Sequence, residues 1–302
     1  MKKILFALII AFLPALLSGG QAAIEPSASQ ALCDKGIAAG SAGDDAGAIG
    51  FFDRAIAADA GNKIAWNNRG VSLLRLKKYA EALKSFEEAS KLDKDYGEAW
   101  YGRGLALTYQ GKFRDSIRFF EKATDISPLN AGPLYGKGYA LASLGKTKDA
   151  VKCLDMAVEA GPKDFITWFN IGVEYGKADK LQEAARCFQE SAKQNPAYVD
   201  AWFNLGYAMN KMERYAEAIQ CFESAIKLEP GYWNAWFNKG IAQAGLKKYS
   251  RAAASMEKAA ALEPRDPDIF YSMAQVYEKL SQTAKAELNT KKYLELTRQQ
   301  VK

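Results

Sequence analysis

A repeat of 34 residues governs this chain of 302 residues. Counting in steps of 34 from Trp202, the same place holds Leu32, Trp66, Trp100, Leu134, Trp168, Trp202, Trp236 and Phe270. Four residues later stand Gly36, Gly70, Gly104, Gly138, Gly172, Gly206 and Gly240, then Ala274. A fixed period of this length marks a stack of small units, each too small to bury its own apolar face. Within the unit that opens at Trp202, Leu205, Gly206 and Met209 share one helical face. Ala218, Ile219, Phe222, Ala225 and Ile226 share another. Spacings of three and four residues place such sets on one side of a helix. A polar turn at Glu213–Arg214 separates the two runs, and Pro230 with Gly231 ends the second.

The recurring glycine carries most information. Glycine inside a helix costs about 1 kcal/mol relative to alanine. A gain in packing must offset that cost seven times over. The partner run supplies small residues at one position (Ala48, Ala82, Ser116, Ala150, Ala184, Ala218, Ala252) and large ones at another (Phe52, Phe86, Phe120, Leu154, Phe188, Phe222, Met256). Ala55, Ala89, Ala123, Ala157, Ser191, Ala225 and Ala259 form a second small row. Large side chains entering small ones set how two helices cross.

Trp, Leu-Gly and Tyr in the first helix, with Ala, Phe, Ala and Pro in the second, resemble the tetratricopeptide repeat (TPR) family. The resemblance covers Leu32 to the C-terminus. It implies an all-α, right-handed superhelical solenoid of about eight 34-residue helix-turn-helix units, starting near 32, 66, 100, 134, 168, 202, 236 and 270. It also implies a concave groove that takes up a segment of another protein.

Residues 1–22 are read as a secretory signal peptide. Lys2 and Lys3 precede an apolar run from Ile4 to Leu17, and Gly20-Gln21-Ala22 suits cleavage. The run is short for a membrane span; an uncleaved anchor is the alternative. An exported place (periplasm, cell envelope or outside) follows from either reading. Residues 23–31 are read as a linker and 32–302 as the solenoid. The first unit is degenerate, rich in Gly and Ala and without the Trp and Pro, as terminal repeats are. Asn62, Asn130, Asp164 and Asp266 are placed to cap first helices. Pro128, Pro162, Pro196, Pro230 and Pro264 end second helices; Lys94 replaces Pro in one unit, which predicts a less sharp end there. In the last unit Thr290 replaces the large residue and Tyr293 the small one, so Tyr293 is expected to fill the slot a further helix would need. That unit is read as the cap.

Charges of both signs alternate along the helices, with a formal net charge of +6. No basic stripe with interleaved aromatics is present, so nucleic acid is not an expected partner. Cys153, Cys187 and Cys221 occupy one repeat position, which places them about a helix diameter, ~10 Å, apart. A disulfide needs Cα atoms within about 7 Å. These thiols, with Cys33, are therefore read as small packing residues. The chain has no histidine. Ser-His and Cys-His nucleophile pairs and histidine metal ligands are thus excluded, and no glycine-rich phosphate loop is present. No catalytic residue, metal site or cofactor is expected. The one odd acid is Glu174, where other units hold Ala106, Ala140, Ala208 and Ala242; Lys177 is one turn away and placed to pair with it.

The candidate binding residues follow the anchor on first helices, at positions that line the groove in the family. They are Asn68, Tyr101, Tyr135, Phe169, Asn170, Phe203, Asn204, Phe237 and Asn238, with Tyr207 one turn on. Gly102 and Gly136 hold the Asn position in two units. An asparagine amide offers a donor and an acceptor, so a column of Asn170, Asn204 and Asn238 suits the peptide bonds of an extended chain. Support of the scaffold is the competing role for the same asparagines. The Lys and Asn set with which some family members grip chaperone C-termini is missing. Two functions remain: a scaffold for a protein or peptide partner in an envelope complex, or a glycan-associated role with sugar rings stacked on the aromatics. Oligomeric state is not legible.

Overall fold

The computed structural model describes residues 27–300. The expected signal peptide lies outside the described residues. Sixteen α-helices follow one another, and no strand occurs among the described residues. They are α1 (Ala28–Ser41), α2 (Asp45–Ala58), α3 (Lys63–Arg75), α4 (Tyr79–Leu92), α5 (Gly97–Tyr109), α6 (Phe113–Ile126), α7 (Ala131–Ser143) and α8 (Thr147–Glu159). Then come α9 (Phe165–Lys177), α10 (Leu181–Gln194), α11 (Val199–Lys211), α12 (Tyr215–Leu228), α13 (Trp233–Gly245), α14 (Tyr249–Leu262), α15 (Pro267–Lys279) and α16 (Thr283–Gln300). The residues form two compact bodies, one ending at Thr167 and the other starting at Trp168.

Each unit is an antiparallel helix pair, and the glycine explains how closely the pair packs. A Cβ on Gly70 would lie 2.7 Å from the Phe86 ring, on Gly104 2.5 Å from Phe120, and on Gly206 2.8 Å from Phe222. These rings are almost wholly buried. The first body adds a contact that the period alone does not reveal. Gly102 and Gly136 approach Phe86 and Phe120 from the following unit, at 2.4 and 2.6 Å. Each ring is thus held between two glycines, one from its own unit and one from the next. Neither glycine is a groove position; both are buried beneath a phenylalanine.

The turn inside each unit is the same Schellman closure. The N–H of Lys78 donates to the Leu73 carbonyl at 2.8 Å, and Arg214 repeats this on Met209 at 2.9 Å. The residue before it sits in the left-handed region at 34-residue intervals: Gly43, Lys77, Gly111, Gly145, Asp179, Glu213, Lys247 and Ser281. Five of these eight are not glycine, each carrying the Cβ strain of that conformation.

Between units the anchor tryptophan pins the loop. The indole N–H of Trp66 donates to the Ala60 carbonyl, Trp100 to Lys94, Trp202 to Pro196 and Trp236 to Pro230, all at 2.8–3.0 Å. The side chains of Asn62, Asn130, Asp164 and Asp266 accept N–H bonds at the starts of α3, α7, α9 and α15, as expected. A second cross-link joins neighbouring units by a step of sixteen residues. Arg69 pairs with Asp53 at 2.6 Å, Lys137 with Glu121 at 2.8 Å and Lys239 with Glu223 at 2.8 Å.

Three expectations about the ends are revised. Helix α1 starts at Ala28, capped by the Ser27 hydroxyl, so residues 28–31 belong to the first unit and not to a linker. Helix α4 ends at Leu92 as sharply as its counterparts. There the Asp93 carboxylate accepts the Asp95 N–H at 2.9 Å and pairs with Lys63, which closes the turn without proline. At the C-terminus Tyr293 packs inward on Tyr271, ring centres 5.2 Å apart. It does not fill the outer slot. An open groove of about 1130 Å³ runs along α16 there, lined by Thr290, Ala286, Leu294 and charged neighbours.

Candidate functional site

Odd-numbered helices touch the next odd-numbered helix (α3 with α5, α5 with α7, α11 with α13, α13 with α15), while no pair of even-numbered helices makes comparable contact among the described residues. Within each body the odd layer is therefore the tighter, inner one. Its surface is where the sequence places the binding residues. All ten candidates lie on odd helices α3 to α13, but packing divides them. Asn68, Tyr135, Phe169, Asn170 and Asn238 are buried. Tyr101, Phe203, Asn204 and Phe237 are half-buried. Tyr207 alone is openly exposed, at 43%.

The ring faces explain the division. Tyr101 leans on Phe120 at 5.9 Å. Phe169 packs between Phe188 at 5.5 Å and Tyr198 at 5.1 Å. Phe203 packs between Phe222 at 5.9 Å and Tyr232 at 5.1 Å. Tyr198 and Tyr232 stand at the N-caps of α11 and α13 and reach back over the preceding unit. These aromatics serve as mortar between units. Repetition marks both packing and binding positions, and only a knowledge of which neighbour covers each ring separates them.

The asparagines are tied on one side. The Asn204 side-chain N–H donates to the Asp200 carbonyl at 2.8 Å, and Asn238 does the same to Asn234 at 2.9 Å. Each amide thereby spends one of its two N–H donors on its own helix. Neither amide oxygen has a hydrogen-bond partner among the described residues. On α11 the exposed edge is continuous: Asp200, Asn204, Tyr207 and Lys211 come one per turn, with the Lys211 ammonium 5.5 Å from the centre of the Tyr207 ring.

Glu174 is not a solvated side chain. It is 5% exposed and bonded to the Lys177 ammonium at 2.6 Å. Burial raises its pKa above the usual carboxylate value, against the opposing pull of Lys177. The four cysteines are free and buried. Burial pushes Cys33 and Cys221 up to about 11 and Cys187 up to about 12, which leaves them as unreactive thiols.

Tetratricopeptide repeat models match residues 67–131, 101–165, 169–210, 199–232 and 234–266. The chain belongs to the tetratricopeptide repeat family. Solved TPR structures share the fold. YrrB, a TPR protein with an unusual peptide-binding site, is 20% identical, with a TM-score of 0.55 over 60% of this chain and 94% of that one. MamA protein is 24% identical, with a TM-score of 0.50 over 56% and 92%. The Cut9–Hcn1 hetero-tetramer of the APC/C matches at 16% identity and a TM-score of 0.51, over 90% of this chain and 54% of that one. At these identities the likeness is one of fold. No curated protein matches the chain in sequence. For a TPR chain the inner surface is built as the repeat dictates, and what distinguishes this member is the row of side chains left uncovered on it. No helix of the described residues is long and apolar enough to cross a membrane.

Proposed function

We propose that this TPR protein is an exported, non-enzymatic scaffold that binds an extended segment of a partner protein across the odd-numbered helices of its second body. The uncovered edge of α11 carries the proposal. Asp200, Asn204, Tyr207 and Lys211 are not consumed by packing, and Asn204 and Asn238 present amide oxygens one unit apart. Extended backbone has free N–H groups to give such acceptors, whereas a helix has spent its own. The peptide-binding site of YrrB supports the same use of this fold. Export rests on Lys2, Lys3, the run Ile4–Leu17 and Gly20-Gln21-Ala22.

Affinity capture from envelope extract tests the reading. The full-length protein is compared with a variant carrying Asn204→Ala, Tyr207→Ala and Lys211→Glu. All three residues are at least partly exposed, so helicity by circular dichroism should be unchanged. Loss of a partner in the variant is expected. Equal capture by both proteins would refute the inner-face site. Mass spectrometry of the mature N-terminus tests export, with cleavage near Ala22 expected.

A further inference from the structure

The inner face of the second body has a charge pattern that bears on what lies there. Helices α11 and α15 both carry an exposed aspartate near the start and an exposed lysine at the end: Asp200 and Lys211, Asp268 and Lys279. Eleven residues separate the members of each pair, about 16 Å along a helix rising 1.5 Å per residue. Helix α13 lies between them and is neutral at both places, with Asn234 and Gly245. Packed helices lie about 8–10 Å apart, so α11 and α15 stand on the order of 20 Å from one another.

Four charges thus frame a field about 16 Å by 20 Å, with two acids along one side and two lysines along the other. No ion pair holds any of the four among the described residues. Asp200 receives only a long bond from the Tyr232 hydroxyl, 3.4 Å, and Lys211 stands over Tyr207. Glu278, beside Lys279, lines the groove along α16 instead. Inside the frame lie Asn204, Tyr207, Asn238, Ile241 and Tyr271, the last 49% exposed.

We infer that the occupant is an extended segment in which an acidic and a basic residue stand side by side, and that this pair recurs about six residues later. The inference rests on the proposed peptide-binding reading. Extended chain rises about 3.3 Å per residue, so six residues span the ~20 Å from α11 to α15. Neighbouring side chains of an extended chain point to opposite sides. One member of each pair then meets a lysine and the other an aspartate, each about 8 Å from the midline. That distance is bridged by two charged side chains meeting end to end. The backbone N–H groups on the midline meet the oxygens of Asn204 and Asn238. Opposite charges on the two sides also exclude a segment with like-charged neighbours, because it would set like charges against each other.

Selection from a phage-displayed library of random dodecapeptides tests this on the full-length protein, beside Lys211→Glu/Lys279→Glu and Tyr207→Ala forms. Peptides selected on the unaltered protein are expected to carry acid–base neighbours at a six-residue spacing. They should bind the double glutamate form about tenfold more weakly, as suits loss of close charge pairs. Peptides selected on that form should keep bases and lose acids. Peptides that depend on Tyr207 yet show no charge pattern would overturn the inference and leave the inner-face site standing. Peptides indifferent to Tyr207→Ala, or none at all, would overturn both.

Discussion

Replacing Gly104 by alanine sets two known effects against each other. Alanine gains about 1 kcal/mol over glycine within a helix. Its Cβ, however, would lie 2.5 Å from Phe120 Cε1, with two further ring atoms within 2.9 Å. Ordinary contact begins near 3.4 Å, so the ring must retreat by almost 1 Å. Its room to do so is small, because Gly136 of the next unit also lies against it, with only 2.6 Å for a Cβ, and the ring is wholly buried. Overpacking of this kind costs about 1–3 kcal/mol once the strain is shared. The net change for Gly104→Ala is a loss of up to about 2 kcal/mol. Gly206→Ala, at 2.8 Å from Phe222, should lose less. Gly138→Ala faces Leu154 at 3.1 Å and the Ala150 carbonyl oxygen at 3.3 Å, a milder crowding that roughly offsets the helix gain, and should be near neutral. Gly50→Ala on α2 meets nothing within 4 Å and should gain close to the full ~1 kcal/mol. Urea unfolding followed by circular dichroism ranks the four. Gly104→Ala behaving like Gly50→Ala would refute the reasoning, since propensity alone would then account for both.

The remaining predictions concern turns, loops and buried groups. Lys77→Gly and Lys247→Gly relieve left-handed residues at φ of 61° and 58° and should each stabilise by about 1 kcal/mol, read from the urea midpoint. Trp202→Phe keeps an aromatic side chain but loses part of the indole's contact area and the bond to the Pro196 carbonyl, a cost of at least about 1 kcal/mol by the same assay. Glu174 has a folded-state pKa raised by burial, so the folded chain holds its proton at a pH where the unfolded chain has released it. Its effect is least harmful below the ordinary carboxylate pKa, and stability falls as pH rises through the raised value. Glu174→Ala, the residue found in equivalent units, should therefore raise the urea midpoint at neutral pH and flatten its pH dependence. All four thiols should react slowly with a thiol reagent in the native protein at pH 8 and fast in denaturant, with a total of four.

Much of the fold is legible because the 34-residue period states it repeatedly. The glycine opposite each phenylalanine, the capping asparagines and the proline stops all follow from local rules and reappear in the structure. The turn at Asp93 was not legible, since an aspartate that closes a loop on its own backbone looks like any exposed acid. Nor were Gly102 and Gly136, which sit beside aromatic residues in a groove-like register; their role depends on a ring from the preceding unit. The site is less legible for the same reason. Phe169, Phe203 and Tyr207 read alike in sequence, yet Tyr198 and Tyr232 cover the first two and leave Tyr207 open. Repeat register identifies a layer, and contacts across units identify which of its side chains remain for a partner.

Photo-crosslinking from single positions would test the inner-face site most directly. A benzophenone side chain is placed at 207 on α11, and separately at 152 on α8, where the exposed Lys152 faces outward on the even layer. Both proteins are irradiated in cells. A partner crosslinked from 207 and absent from 152 is expected. Crosslinking from 152 with none from 207 would contradict a binding site on the inner helices.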